Sequence, residues 1–576
     1  MKKKNKNENG VSLSFEKSII ILSCFYALFI FLIYYFALPF LNFNSVGFYF
    51  FITLILGYIG TVILMFNSDK LIKKNEGKVY TKIIGFESVN GKPIRRKVGS
   101  NEKFSKGMLC LRGIVYSICI CLGFLAIMGT VGSKLFMSKS YYKQLTITEG
   151  TEEELLDIFN YDDGEVLLPI IDKDLAFKLA QASLGDYGAQ YSIDYDNFTL
   201  QSVTRNGVDK LVRIAPLEYS TVFVSLARMN KGTIGYIEVN VVTKETKLVI
   251  VDGGLKYMPT SVFGKDLSRH VRFQYPTRMY QEFNFEIDDE GNPFWIIPTY
   301  KKEIFLLSGT TPNGVIVVNP VNGESEFYEL GKEPKWIDRT VDERIVEKQS
   351  TNALKYKHGF FNVYLGEKKE VFQLSDGYNY FIKDGNTYLV SSITSPNEND
   401  QTSIGFVAVN LKTKQATKYF FEGITEMRAR EIAMNDARVK AQALDSTWPI
   451  LISYDGVETY FLVLKNAVKS QKIVYIDVKT GELVAIGDSI EEAKAEYDKL
   501  LTNSGNSVQK EIEFNGIVTE VRDLNDFIEF MIDSVNDKYF VISPTLNLKA
   551  RFIEKGDNCK IICYDYDTYY YVVDIS

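Results

Sequence analysis

The sequence predicts an α+β protein: an N-terminal region of three transmembrane helices, then repeated α+β modules of antiparallel hairpins plus helices, and a small C-terminal β-barrel. Three observations carry that expectation. Three long uncharged apolar runs lie within the first 134 residues, one hairpin motif occurs four times between Gly235 and Ser489, and a series of short strand-like runs closes the chain.

The apolar runs come first. Ser18 to Phe40 is uncharged over 23 residues, Gly47 to Phe66 over 20, and Gly113 to Ser133 lies uncharged between Arg112 and Lys134. Each is long enough for a helix to cross about 30 Å of hydrocarbon. The first holds 14 Ile, Leu or Phe residues, which at about 0.3 to 0.6 kcal/mol each favours insertion by about 4 to 8 kcal/mol. Lys2, Lys3, Lys4 and Lys6 also make a basic start like that of a signal peptide. A 23-residue apolar run exceeds the usual h-region, however, and no small-x-small cleavage site follows, so the segment is expected to be retained. The predicted spans are 18–40, 47–66 and 107–134.

Orientation follows from the basic residues. The tail 1–17 carries five lysines, the connection 41–46 has no Lys or Arg, and 67–106 carries eleven. Basic loops stay cytoplasmic, so the tail and the 67–106 loop are expected inside and residues 138–576 outside, in a multi-pass protein of the cell membrane. The expected partners there are the lipid bilayer and anionic headgroups facing the 67–106 loop. Residues 1–137 carry a net +12 and residues 138–576 a net −18. An outer part this acidic has no basic stripe for nucleic acid, which is not expected as a partner.

The repeated hairpin reads "GYIEVNVVTKETKLVI" from Gly235, "GVIVVNPVNGESEFYEL" from Gly314, "GFVAVNLKTKQATKYFF" from Gly405 and "IVYIDVKTGELVAIGDS" from Ile473. One column is Asn240, Asn319, Asn410 and Asp477. Three residues later come Thr243, Asn322, Thr413 and Thr480, then Lys244, Gly323, Lys414 and Gly481. The β-branched and aromatic flanks suit strands. Asn or Asp opens a type I turn by accepting backbone N–H groups, and Gly suits a final left-handed residue, so the repeated letters need no ligand. Lys244 and Lys414 in that conformation each cost on the order of 1 kcal/mol. Each hairpin follows another strand with its own turn, as in "DDEGNPFWIIPTY" and "DGVETYFLVLKN". Helices are expected in at least two units. "DKDLAFKLAQASLGD" sets Leu175, Leu179 and Ala182 on one face with Gly185 as stop, and Ser489 with Glu492 caps a helix running toward Leu501.

A helix followed by strands ending in "YIDVKTGE", Tyr475 to Glu482, resembles the PepSY-type α+β module of bacterial cell-surface proteins. The same octet resembles a quinoprotein-type propeller blade, but the Asn/Asp column advances by 79, 91 and 67 residues, whereas blades repeat at roughly 40 to 50 and need no helix. Residues 140–501, including "LKYMPTSVFGKDLSRHVRFQYPT" from Leu255, are similar to uncharacterised bacterial multi-span membrane proteins with repeated modules of this kind. The resemblance implies architecture and address, and no reaction. PepSY modules as a class are associated with regulating neighbouring peptidases, and this chain shows no peptidase motif of its own. After a linker at 502–510, residues 511–576 read as about five short strands and look like an OB-like or SH3-like β-barrel, expected in a structural or protein-contact role.

The sequence carries few chemistry-bearing motifs. His270 and His358 are the two histidines, and no nucleophile elbow, Walker loop, H-E-x-x-H or C-x-x-C motif occurs. "EIDDEG" from Glu286 and "NYDDG" from Asn160 lack the twelfth-position acid of a Ca²⁺ loop and read as turns. Cys559 and Cys563 on one strand lie about 13 Å apart, too far for a bridge, and read as core. No cofactor, metal or catalytic residue is therefore assigned. The candidate binding residues are Arg269, His270, Arg272, Tyr275 and Arg278, which gather three guanidiniums in an otherwise acidic region and suit a carboxylate or phosphate of an envelope protein or polymer. Internal pairing with the plentiful Asp and Glu is the competing use. The sequence thus points to a membrane-anchored extracytoplasmic binding, scaffold or regulatory protein of the bacterial cell envelope. The alternative is an envelope-polymer hydrolase using paired carboxylates.

Overall fold

A computed structural model describes residues 15–75, 87–89, 92–94, 106–160, 168–205, 207–375, 377–383, 386–396, 402–466, 471–504, 512–524, 527–542, 548–565 and 569–576. Most of the basic tail, most of the 67–106 loop, the "YDDG" segment and 505–510 of the linker lie outside them. The chain divides into two compact units: Met1–Met137 with Phe263–Met279 and Lys301–Thr310, and Ser138–Val262 with Tyr280–Tyr300 and Thr311–Ser576.

The first unit is built on α1 (Phe15–Ala37), α2 (Val46–Asn75) and α3 (Lys106–Val131), with the short hairpin β1 (Glu87–Val89) and β2 (Lys92–Ile94) between the last two. α2 thus runs beyond the predicted 47–66 into the basic loop. α1 stops at Ala37 because Pro39 disfavours the helical conformation in the residue before it, and Leu38 turns left-handed at φ 45°. α3 breaks at Gly132, where any side chain would strike Ser308, and the chain continues as α4 (Lys134–Tyr142). Among the described residues no single helix is long and apolar enough to cross a membrane. The apolar stretches of α1 and α2 are Ser23–Ala37 and Val46–Gly60, and the pair Val115–Val131 and Lys134–Tyr142 reaches that length only together, across a 51° bend.

After β3 (Ile147–Gly150) and α5 (Glu152–Ile158) the chain gives one plan four times, an N-capped helix followed by five strands, the helix of the second repeat belonging to the first unit. The first repeat has α6 (Lys173–Ser183), β4 (Tyr191–Ile193), β5 (Thr199–Arg205), β6 (Val208–Tyr219), the extra helix α7 (Val222–Ala227), β7 (Thr233–Asn240) and β8 (Thr246–Leu255). The second has α8 (Leu267–Gln274), β9 (Met279–Tyr280), β10 (Asn284–Ile287), β11 (Pro293–Phe305), β12 (Ser308–Val318) and β13 (Ser325–Glu329). The third has α9 (Glu343–Lys355), α10 (Phe360–Tyr364), β14 (Gln373–Leu374), β15 (Asn379–Lys383), β16 (Asn386–Thr394), β17 (Thr402–Asn410) and β18 (Ala416–Ile424). The fourth has α11 (Glu426–Asn435), β19 (Asp445–Ser446), β20 (Ile450–Tyr454), β21 (Val457–Lys465), β22 (Gln471–Asp477) and β23 (Val484–Gly487), and is followed by α12 (Ile490–Ser504).

In every repeat the first and second strands both pair with the third, the third with the fourth and the fourth with the fifth. The helices start at Asp172, Asp266, Asp342 and Thr425, whose side chains accept the N–H of Leu175, Arg269, Arg344 and Arg428. Such caps satisfy donors that no helical carbonyl can reach. α6 is rotated relative to the sequence reading. Ala176 and Ala180 are fully buried while Ala182 is exposed, so small residues make the closest approach. Strand β3 was not foreseen either. It pairs in parallel with β18 at the edge of the third sheet, Ile147 opposite Ala416.

The four hairpin corners are equivalent. Asn240 Oδ1 accepts the N–H of Val242 and Thr243 at 2.9 and 2.8 Å, Asn319 those of Val321 and Asn322, Asn410 those of Lys412 and Thr413, and the Asp477 carboxylate those of Thr480, Gly481 and Leu483. Lys244, Gly323, Lys414 and Gly481 take φ of 65°, 83°, 63° and 71°. At the entry to the fourth strand, Gly235 would drive a Cβ into the Val249 carbonyl, and the ladder shifts register there.

The last 65 residues close a five-stranded barrel of β24 (Ile512–Asp523), β25 (Ile528–Ile532), β26 (Val535–Ile542), β27 (Asn558–Asp565) and β28 (Tyr569–Ile575). Cys559 and Cys563 are free thiols in its core, beside Phe530 and Phe540.

Two changes at one corner test the turn chemistry. Asn240→Ala removes two side-chain-to-backbone bonds and is expected to cost about 1 to 2 kcal/mol. Lys244→Gly relieves the left-handed backbone and is expected to gain about 1 kcal/mol. Urea midpoints of the two variants should move in opposite directions.

Candidate functional site

The five residues singled out from the sequence fall together in the first unit, on and just after α8. Arg269 Nε donates to the Tyr35 carbonyl at 3.2 Å, and its guanidinium lies 4.2 Å from the Tyr35 ring centre. Arg272, only 3% exposed, donates Nε to the Leu38 carbonyl at 3.0 Å and Nη1 to the Arg278 carbonyl at 3.2 Å, and sits 3.5 Å from the Phe40 ring centre. α1 has no basic residue in its own last turn. Its orphan carbonyls and the negative end of its dipole are met by these two guanidiniums. His270 contacts Gln274 through Nε2 at 3.0 Å, and the Tyr275 N–H closes α8 on the Val271 carbonyl. Arg269 and Arg272 thus bond internally to backbone carbonyls. An outside anion must displace those bonds to use them.

A second constellation lies within the other unit. A cleft of about 500 Å³ is lined by Lys173, Arg213, Arg339, Glu282, Glu343 and Tyr380, among others. Lys173 opens α6, Arg213 interrupts the apolar run of β6, and Glu282 precedes β10. Arg339 and Glu343 lead into α9, and Tyr380 is on β15, so the first three repeats all contribute. Arg213 keeps some solvent exposure as a residue, but its Nε is enclosed and without a partner, as is that of Arg339. Burial, with Arg339 nearby, pulls Arg213 down to about 10. Burial, then Arg213, lowers Lys173. Burial, with Asp342, pushes Glu282 up to about 7, although Arg344 Nη2 bonds it at 2.6 Å. Glu343 accepts the Tyr378 hydroxyl at 3.1 Å.

No family model matches the chain, and no curated protein matches it. The site is therefore read from its geometry alone.

Paired carboxylates do occur. Glu286 and Asp338 are 1% and 3% exposed, the Asp338 N–H donates to Glu286 Oε2 at 3.0 Å, and the Ser202 N–H donates to Asp338 Oδ2 at 2.8 Å. Burial raises both. At that burial they are closed to a polymer. "EIDDEG" is the β10–β11 turn, in which Asp288 accepts the Asn292 N–H at 2.7 Å.

Sequence reasoning missed the cleft because its cations are far apart in the chain. One signal was available: Arg213 in "LVRIAPL" is a charge inside a strand with Leu211, Val212, Ile214 and Ala215 all buried.

Stability should depend on pH through the raised acids. Glu218 and Glu282 both move from the usual 4.5 to about 7, chiefly by burial. Between those values the folded protein holds protons that the unfolded chain has lost, so stability falls as pH rises from about 4.5 to about 7 and then levels. Melting temperatures at pH 5.5 and 8 are expected to show that loss, and Glu282→Gln should reduce it. Arg272→Ala strips the partly buried Leu38 and Arg278 carbonyls of a donor, at a cost of about 1 to 3 kcal/mol. Loss of its melting temperature should be independent of pH.

Proposed function

We propose that the protein is a membrane-anchored, extracytoplasmic binding or regulatory protein of the bacterial cell envelope, whose repeats are PepSY-like in plan and present a ligand cleft. The observation that carries the reading is the apolar exposure of the first unit. Phe25, Phe36 and Ile120 are 69%, 71% and 72% exposed on α1 and α3, and most large apolar residues around them face outward. A bundle in water buries such faces, whereas lipid accepts them. The charge division between residues 1–137 and 138–576 supports an outer address for the second unit.

The barrel runs β24-β25-β26-β28-β27 and closes on itself, with β26 and β28 parallel. That order is OB-like, and its acidic surface favours a protein contact over nucleic acid.

Hydrolysis of an envelope polymer is a second reading, supported by Glu282 and Glu343 lining one cleft with Glu282 raised to about 7. Against it, Arg344 and the Tyr378 hydroxyl already occupy an oxygen of each.

Cysteine labelling of intact cells tests the address, in a background without the six native cysteines. An impermeant maleimide is expected to modify Ala437→Cys directly and Gly91→Cys only after permeabilisation. The reverse pattern would overturn the orientation.

A further inference from the structure

The cleft of the first three repeats holds cations whose charge the protein itself leaves poorly answered. Arg213 has one hydrogen bond, from Nη1 to the Phe198 carbonyl at 3.3 Å, and no carboxylate within ion-pairing distance among the described residues. Arg339 reaches the Leu200 carbonyl at 3.5 Å and Glu343 at 3.8 Å, both near the limit of contact, and lies 4.7 Å from the Tyr380 ring centre. Lys173 Nζ touches the Asp196 carbonyl at 3.4 Å and stands 4.4 Å from the Tyr195 ring centre. Taking a cation out of water is costly unless an anion and well-made hydrogen bonds replace its hydration. Here three cations approach one another and use long contacts: Glu282 is taken by Arg344, Glu343 gives one oxygen to the Tyr378 hydroxyl and holds the other 3.8 Å from Arg339, and Asp196 on the same lining attracts Lys173. Arg213 is thus the cation of the lining with no carboxylate in reach among the described residues, and a negative group from outside would supply one.

We infer that this cleft binds a small molecule through an oxyanion, a carboxylate or a phosphate, held between Arg213 and Arg339 with Lys173 beside it. Guanidinium forks match the two oxygens of such a group. The volume of about 500 Å³ falls in the range of small-ligand sites, and Phe198 and Phe283 supply apolar wall for the rest of the ligand. Asp196, Glu282 and Glu343 on the same lining disfavour a second anionic group, so a polyanion is a poor fit. The inference rests on the binding reading above and narrows it to a ligand class.

The test uses the whole chain in detergent micelles, titrated with sodium phosphate and with sodium succinate against sodium chloride at matched ionic strength. Thermal unfolding and calorimetry are the readouts. At least one oxyanion is expected to raise the unfolding temperature saturably where chloride does not, and which one responds separates phosphate from carboxylate. Arg213→Met and Arg339→Met, which keep the stem and remove the charge, are expected to weaken that response by roughly tenfold or more, the worth of a charge-assisted hydrogen bond. Their ligand-free unfolding temperatures should equal or exceed that of the wild type, because an enclosed unpaired N–H is gone; a purely structural arginine would lower them. Should either variant fail to fold, Lys173→Gln, on partly exposed ground, is expected to weaken the response by roughly threefold. Oxyanions indistinguishable from chloride, or variants that respond as the wild type does, would overturn the proposal. The titration does not depend on which side of a membrane the cleft faces, so it and the labelling experiment can fail separately.

Discussion

The repeats of the second unit are joined by buried polar side chains that take over backbone hydrogen bonds at the seams. Gln201, 1% exposed on β5, gives its amide to the Ile287 carbonyl at 2.7 Å and takes the Ile287 N–H at 3.0 Å, acting as one residue of an absent strand between the first and second repeats. Thr199 Oγ1 donates to the Phe285 carbonyl at 2.7 Å. Asp338 links the first three repeats through Ser202 and Glu286. Glu426, the first residue of α11, accepts the Ser392 N–H at 2.7 Å and the Ser375 hydroxyl at 2.8 Å, tying the fourth repeat to the third. Buried backbone groups left unpaired cost about 1 to 3 kcal/mol each, so the sheets could not abut without these bridges. Polar bridges of fixed geometry also admit one orientation, which apolar contact alone does not specify.

That requirement places the cleft. β5 and β10 are held together by Gln201, and the chain around Asp338 is drawn onto both. Arg339 follows Asp338 directly, Leu200 and Gln201 are adjacent, and Glu282 and Asn284 lead into β10. The charged lining therefore consists of sequence neighbours of the seam residues. The parallel pairing of β3 with β18 acts at longer range, since it ties a strand that precedes the first repeat in sequence to the third sheet. Leu155 and Phe159 from the same segment join the core shared by the third and fourth repeats. The closure spans some 270 residues of chain, but loop entropy grows only logarithmically with length, so the pairing is thermodynamically affordable though slow to form.

Local physics was legible in the sequence and non-local physics was not. The hairpin corners could be read because one Asx residue and one left-handed position decide them within five residues of chain, and all four appear where the letters put them. The helix N-cap at Ser489 was equally readable, with the Glu492 N–H bonded to its Oγ at 3.1 Å. The phase of α6 was not, because Leu looked like the buried residue and Ala proved to be. Gln201, Glu286, Asp338 and Glu426 look in a sequence like ordinary surface residues, and only their neighbours in space make them seams. The arginines near position 270 were noticed for the right reason, an excess of donors, but their acceptors are carbonyls at the end of a helix more than 200 residues earlier. A search restricted to acidic partners cannot find those.

The two arginine groups show how the same residue type separates structure from binding. At the end of α1 each guanidinium donates Nε to a backbone carbonyl, at 3.2 and 3.0 Å, and has an aromatic ring against its face. Its charge answers a dipole that the fold creates, so removing it leaves a deficit in the protein. In the cleft, Arg213 and Arg339 have enclosed Nε groups without partners and contacts of 3.3 Å or more. The bonds they make, to the Phe198 and Leu200 carbonyls, are long, and their mutual repulsion opposes folding. A cation that satisfies the fold contributes to stability. One that the fold carries at a loss is kept for what it meets from outside.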